Sequence, residues 1–182
     1  MFLLFSYIVV RAQDNKLLIG VSMSGMVSGS GLGHCLSPQL ILHNERHSLA
    51  VGMNMENPRY NFSGFRGRYE FSFNPGETIE PFLFYDFAWR NKVFLNKQTD
   101  AIEDFNTPKS EVYFNTVRLN VIEEHIGLGL NVHVYRSLKI FGAIGAGFYN
   151  TLDCDQQNLF KCRENNGFSL LLMIGLKVDL KK

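Results

Sequence analysis

The segment from Phe65 to Asn74 carries charged or polar residues at every second position. Arg66, Arg68 and Glu70 alternate there with mostly aromatic residues, and a side-chain period of two is that of a β-strand, whose neighbouring side chains point to opposite faces. One face of this strand is therefore apolar and the other is charged. Charges of both signs on one face can form ion pairs or line an aqueous path. An apolar face opposite a charged one is typical of a membrane barrel wall with a polar lumen.

A second group of charges follows a predicted turn at residues 74–79, which contains Asn-Pro-Gly. If that turn is symmetric about Glu77, Arg68 faces Asp86 across the strand ladder. We therefore predict an interior ion-pair network with further charges nearer the mouth where the short turns lie. The network comprises Arg66, Arg68, Glu70, Asp86 and Arg90, and the mouth has Lys177 and Asp179. We favour a plug that satisfies buried charge over an ion-conducting path.

Two further motifs resemble ligand sites. His43 and His47 have a His-x3-His spacing, but zinc sites of that spacing are persuasive on a helix or beside further ligands, and this pair lies at a predicted hairpin turn. The glycine-rich stretch 29–33 is not a GxGxxG motif and opens no helix, so it is read as a flexible loop. We predict no metal site and no cofactor. His34 and Cys35, which follow, are not predicted to be reactive.

Catalytic motifs are sparse. There is no G-x-S-x-G elbow. An enzyme acting on lipid would need a histidine beside a serine or a carboxylate at a lipid-facing rim, and His125 next to Glu124 is the single candidate. The alternative is that His125 is an ordinary rim or bulge residue, which is the reading we prefer, and we predict no catalytic residue.

Composition limits the remaining classes. The chain has 182 residues, 46% of them hydrophobic, and a formal net charge of +1, which suits one folded domain. No run of Lys or Arg occurs, so nucleic-acid binding is not expected. Residues 1–12 read as a secretory signal peptide, cleaved or truncated, with an apolar stretch and a small-residue cleavage pattern, and residues 13–182 form the predicted domain. Because a basic n-region is missing, a short membrane anchor is the alternative for residues 1–12.

Export would make the cysteines candidates for oxidation. Cys154 and Cys162 flank a polar stretch that reads as a loop, and we predict that they form a disulfide. Free thiols are the alternative, since spacing alone does not give the geometry. Cys35 would then remain without a cysteine partner.

Period-two alternation recurs along the chain and predicts eight strands. They cover residues 17–28, 36–43, 48–55, 64–74, 80–90, 111–135, 138–149 and 167–180. The apolar positions of the sixth strand are odd at Val117, Leu119 and Val121 but even from Ile126 onward, which predicts a β-bulge near residues 123–124. The connections alternate, short at 44–47, 74–79 and 135–137 and longer at 29–35, 56–63, 91–110 and 150–166.

A soluble barrel with an apolar interior shows the same alternation, so further features decide which face points inward. The polar face is rich in Gly, Ala, Ser and Asn, which suits a narrow, crowded interior. Four aromatic residues fall at the long-loop ends of their strands, where an outer aromatic girdle would lie: Phe65, Trp89, Phe148 and Phe168. We therefore predict an all-β fold, a closed, antiparallel, up-and-down, eight-stranded transmembrane β-barrel.

In this pattern residues 17–180 resemble the small eight-stranded outer-membrane β-barrel family of Gram-negative bacteria, the OmpX and OmpA-transmembrane-domain type. The closing strand is similar to the family's assembly signal, although Leu180 stands where an aromatic residue is usual. The resemblance implies export to the cell outer membrane, with the short turns and Lys177 on the periplasmic side. It also implies outer-membrane lipid as the surroundings of the barrel.

The expected function is non-enzymatic. A barrel of eight strands has an interior just wide enough for its own side chains, so we expect adhesion, partner docking or envelope integrity through external loops 91–110 and 150–166. The barrel would act as a monomer or as an accessory subunit of an envelope complex. The alternatives are a narrow ion or small-solute channel, an outer-leaflet lipid-modifying enzyme and a soluble lipid-binding barrel.

Overall fold

A computed structural model describes residues 17–28, 34–56, 61–101, 110–151 and 166–180. They form eight strands: β1 (Leu18–Ser28), β2 (His34–His43), β3 (His47–Glu56), β4 (Asn61–Ser72), β5 (Ile79–Ala101), β6 (Ser110–Tyr135), β7 (Leu138–Thr151) and β8 (Gly167–Asp179). Each strand pairs antiparallel with its neighbours in sequence, and β1 pairs with β8 to close the barrel. The predicted fold class is confirmed. No helix long and apolar enough to cross a membrane occurs among the described residues.

Three tight connections define one end of the barrel, called here the lower rim: 44–46, 73–78 and 136–137. In the first, the Asn44 side chain accepts hydrogen bonds from the backbone N–H groups of Arg46 (3.1 Å) and His47 (2.8 Å), as short polar side chains do in turns. In the second, Gly76 has φ of 87°, a left-handed conformation that favours glycine. The opposite end is called the upper rim.

The sequence prediction underestimated β5. Residues 91–110 were expected to form a long loop, but β5 continues to Ala101 and β6 begins at Ser110. The two strands pair without interruption from Ile79↔Val132 to Ala101↔Ser110. Above Arg90 and Val121, the described residues of this hairpin pair only with each other. The polar composition of residues 91–110 suggested a loop because it lacks the one-sided apolar face of a membrane strand.

The predicted bulge at residues 123–124 is wrong. The register of β6 against β5 and β7 is continuous there, and Val121, Glu123 and His125 are all buried on the inward face. The inward, odd-numbered positions of β6 carry valine at 121 but glutamate and histidine at 123 and 125. The apolar residues therefore shift from odd to even positions in the sequence although the register does not change. The register shifts lie elsewhere, between Asn54 and Met55 and between His133 and Tyr135.

Large aromatic side chains fill the lower half of the interior. Phe82, Phe84 and Phe141 are buried, and small residues on the neighbouring strands leave space for them. The clearest case is Gly129, which pairs directly with Phe82, and a Cβ atom there would lie 2.2 Å from the Phe82 ring. The small residues of the inward face thus act as spacers for large partners, as close packing requires.

Candidate functional site: the polar lumen

The upper layer of the lumen is organised by Arg90. Its guanidinium contacts the Glu56 carboxylate and bonds Glu123 Oε2 at 3.0 Å and Ser28 Oγ at 2.8 Å. Arg90 on β5 thereby links β3, β6 and β1 across the barrel. A buried guanidinium with two carboxylate partners and a hydroxyl is well satisfied, because its planar fork presents five donors.

The middle layer contains Arg66 and Asp86. Arg66 Nε lies 2.6 Å from Asp86 Oδ1, and both side chains are almost fully buried. The other guanidinium nitrogens of Arg66 approach the sulfur atoms of Met26 and Met173, the latter at 3.1 Å. Thioethers are weak acceptors, so the ion pair with Asp86 is the strong contact of this layer.

Arg68 faces Asp86 in the backbone register, but its ion pair is with Glu70. Arg68 Nε lies 2.9 Å from Glu70 Oε1, and the Arg68 guanidinium carbon lies 4.8 Å from the centre of the Phe141 ring. The Arg68 side chain turns along its own strand to Glu70, whereas Arg66 takes Asp86 Oδ1. Register predicts which residues are opposite each other but not which charges meet, since long side chains reach two positions away.

Lys177 connects the side chains of the next layer of the lumen, towards the lower rim. Its ammonium donates to Glu70 Oε2 at 2.6 Å and to Asn131 Oδ1 at 2.8 Å. It also lies 4.7 Å from the ring centres of Phe82 and Phe141, a favourable position for a cation over an aromatic face. Glu70 therefore serves two cations, Arg68 and Lys177, from opposite sides of the lumen.

A cluster of ionisable side chains lies at the lower-rim end of the lumen. Glu80 contacts His133 at 2.7 Å and Lys139 at 3.2 Å and accepts a hydrogen bond from the Gly76 N–H at 2.7 Å. Burial alone would raise the pKa of Glu80, but these three contacts outweigh it and lower the pKa below its ordinary value.

Asp179 lies at the same rim, at the end of β8. It contacts His43 at 3.0 Å. Burial opposes ionisation of Asp179, yet the contact with His43 and the nearby Lys139 ammonium lower its pKa. Asp179 thus pairs with histidine at the rim, whereas Lys177 lies deeper, within the network.

His125 and Glu124 lie on opposite faces of the barrel wall, so the two side chains do not meet at one site. His125 is inward and Glu124 is exposed on the outer face. His125 Nε2 lies 2.9 Å from Ser169 Oγ, and Nδ1 lies 4.0 Å from Asp86 Oδ2. Serine, histidine and aspartate are the residue types of a nucleophile with its base, but His125 is 1% exposed, Ser169 is 0% exposed and Arg66 engages Asp86. A lipid ester has no access to them.

The four predicted girdle residues form two cross-strand pairs at the upper part of the outer face. Phe65 pairs with Trp89 and their rings stack with centres 6.1 Å apart. Phe148 pairs with Phe168, edge to face at 6.2 Å. Aromatic pairs in these geometries stabilise strand pairing.

The remaining predicted residues are placed as follows. His43 points to the lumen mouth, whereas His47 packs on the outer face with Nδ1 2.6 Å from the Tyr69 hydroxyl, so the two histidines do not converge.

The described residues contain no group of three potential metal ligands. Cys35 is buried with a free thiol. Residues 1–12, the stretch 29–33, Cys154 and Cys162 lie outside the described residues, so the signal peptide and the disulfide remain predictions.

Sequence reasoning missed several members of the network. Glu56 and Glu123 bind Arg90, and neither was assigned to the lumen. Asn131 was expected on the polar face but not in the network, where it binds Lys177. Glu80 and its partner Lys139 were also missed. Glu123 and Asn131 share the inward phase of β6 with His125, and the incorrect bulge obscured this signal for Glu123. Glu56 follows the register shift after Asn54, which no sequence pattern revealed.

A closed antiparallel barrel of eight strands, apolar outside and charged inside, has the fold of the small outer-membrane β-barrels. The N-terminal β-barrel domain of Pseudomonas aeruginosa OprF superposes with a TM-score of 0.58 at 9% identity, over 91% of this chain and 100% of that domain. Neisserial surface protein A, NspA, gives a TM-score of 0.46 at 10% identity, over 90% of this chain and 96% of that one. No protein-family model and no curated protein matches the sequence.

Proposed function

We propose that this chain is an integral outer-membrane β-barrel protein with a closed lumen. The observation that carries the proposal is the inversion of polarity across the barrel wall: large apolar side chains face outward and ionised ones face inward. On β8, Leu170, Leu172 and Ile174 are 58%, 61% and 67% exposed. A contiguous apolar belt of this kind is unfavourable in water but matches the hydrocarbon of a bilayer.

The same inversion weighs against a soluble lipid-binding barrel. Such a barrel holds its ligand in an apolar interior, whereas four cations of this lumen are buried: Arg66, Arg68, Arg90 and Lys177. An acyl chain placed there would leave these cations without their carboxylate partners.

The specific role that we propose is non-enzymatic and lies above the upper rim. The ladder pairs from Asn91↔Asn120 to Ala101↔Ser110 extend the β5–β6 hairpin beyond its contacts with β4 and β7. At about 3.3 Å per residue, this extension is roughly 30 Å long. A projecting hairpin on a rigid barrel suits adhesion or docking of a partner protein.

Membrane residence is tested by refolding the chain into detergent and into liposomes. We expect the unheated protein to migrate faster than the heated protein in SDS gels and to float with the liposomes. A chain that stays soluble without detergent, with identical migration before and after heating, would contradict the proposal.

The docking role is tested by shortening the hairpin. Residues 92–119 are replaced by Asn-Gly, the preferred two-residue hairpin turn, so that Asn91 and Asn120 remain paired. We expect heat-modifiable migration to persist, because residues 92–101 and 110–119 pair only with each other. Proteins that co-purify with the intact chain in mild detergent should be lost, and retention of the same proteins would argue against the hairpin as the docking element.

A further inference from the structure

Glu124 is the exception to the polarity of the barrel wall. Its neighbours Glu123 and His125 are buried in the lumen, whereas Glu124 is exposed on the outer face between Ile122 and Ile126. Of the side chains that the structure describes between the two rims, it is the one charged group on the outward face. It belongs to none of the salt bridges among the described residues.

Aromatic side chains surround this carboxylate. Phe87 on β5 and Phe148 on β7 lie directly opposite Glu124 in the two ladders, where Cβ atoms are about 5 Å apart. Tyr85, two residues before Phe87, pairs with Ile126 and therefore lies diagonally across the ladder from Glu124, within reach of its charge. Both phenylalanines are exposed on the outer surface. The result is a carboxylate flanked by two phenylalanine side chains, with a phenol on the same outer face.

The site lies near the upper edge of the apolar belt. Trp89 pairs with Ile122, one outward position above Glu124, and Phe148 beside Glu124 pairs with Phe168. Trp89, Phe148 and Phe168 belong to the predicted aromatic girdle, and such girdles lie at the depth of the lipid headgroups. The carboxylate therefore faces lipid headgroups rather than acyl chains.

The chemistry of the site selects a cationic partner. A carboxylate supplies the charge, and exposed ring faces attract ammonium groups through their quadrupole. Calcium fits poorly, because it takes six to eight oxygen ligands and a single carboxylate and a phenol face outward here. An ammonium group needs only one anion and an aromatic surface.

We propose that Glu124, with Tyr85, Phe87 and Phe148, forms a lipid-facing site for the primary ammonium headgroup of an aminolipid. This inference rests on the proposed membrane residence. We assign the ligand to lipid rather than to protein because the site opens sideways into the headgroup layer and not upward beside the projecting hairpin.

Trp89 is the only tryptophan of the chain and lies beside the site, so its fluorescence reports on lipids bound there. The protein is reconstituted in bilayers that contain increasing fractions of a brominated phosphatidylethanolamine or of a brominated galactosyl diacylglycerol with the same chains. Quenching of Trp89 gives the relative association of each lipid. We expect the amine lipid to be preferred about two- to fivefold.

The variant Glu124→Gln should bring this preference close to one, and Phe148→Leu should reduce it. The matched control Phe71→Leu, on an outward position near the lower rim, should leave this preference unchanged.

Equal quenching by the two lipids in the natural protein, or an unchanged preference in Glu124→Gln, would overturn the proposal. Quenching by a brominated, lysine-flanked transmembrane peptide but by neither lipid would assign the site to a protein and also overturn it. If neither brominated lipid nor the brominated peptide quenched Trp89, membrane residence itself would be refuted.

Discussion

At the scale of single residues, Glu70 is a lumen carboxylate that pairs with two buried cations. Its two carboxylate oxygens lie 2.9 Å from Arg68 and 2.6 Å from Lys177, and all three side chains are buried. Buried ion pairs contribute little net stability when intact, but removal of one partner leaves an uncompensated charge. Glu70 therefore has a larger effect on stability when altered than its own contacts suggest.

The substitution Glu70→Gln should lower the free energy of unfolding by about 3–5 kcal/mol, because it leaves two buried cations with one fewer anion. The measurement is urea unfolding of the refolded protein in detergent or lipid. Glu45→Gln, at the exposed turn after β2, is the matched control and should have no measurable effect. Equal stability of the Glu70 and Glu45 variants would show that the lumen charges are solvated.

The lower rim should make stability sensitive to acid. The pKa values of Glu80 and Asp179 are lower in the folded barrel than in the unfolded chain, so the unfolded state takes up protons first as the pH falls. Their contribution is fully present above the ordinary carboxyl pKa values, near 4 to 4.5, and is lost as the pH falls through the lower folded values.

This dependence is measured by comparing unfolding curves at pH 7 and pH 3. The double variant Glu80→Gln, Asp179→Asn should be less stable than the natural protein at pH 7, and the difference should shrink at pH 3. A difference that grows on acidification would mean that these carboxyls have raised pKa values, contrary to the geometry.

At the scale of elements, the pairing of β5 with β6 depends on small residues opposite aromatic ones. Gly129→Ala should destabilise the barrel by about 1–3 kcal/mol, because the added methyl group overpacks the buried Phe82 ring. Gly67→Ala is the control, since a Cβ atom there has no heavy atom within 4 Å. Urea midpoints of both variants provide the comparison. If Gly67→Ala proved as damaging as Gly129→Ala, strand propensity rather than ring packing would be the cause.

At the scale of the whole molecule, ionic contacts cross the lumen in successive layers. Arg90 forms the contacts of the upper part, Arg66 those of the middle, Lys177 those of the layer below and Glu80 those of the lower rim. Aromatic rings fill the space between Arg68 and the lower rim. A barrel of this size leaves little interior volume beyond its own side chains.

The reconstituted protein should therefore show no steady ion conductance. Planar-bilayer recordings check this, with insertion verified by heat-modifiable migration of the same preparation. Discrete, long-lived conductance steps in several independent preparations would show that the layers open, and would favour the narrow-channel alternative over the plug.

The amino-acid sequence alone determined the class of fold. Alternation with a period of two, continued through eight segments, is a local property, because each side chain's face depends only on its position along the strand. It therefore assigned Arg66, Arg68, Asp86 and Arg90 to one face without knowledge of the pairing. The aromatic positions of the upper outer face followed from the same rule.

The tertiary structure decided the partners and the exceptions. Contacts such as Lys177 with Glu70 and Arg90 with Glu56 cross the barrel between strands that are not neighbours, so they depend on closure and on side-chain reach rather than on periodicity. Continuous register through residues 123–124 placed Glu123 inside and Glu124 outside. A one-residue difference in phase reverses every face, and only the pairing on both sides of β6 fixes that phase.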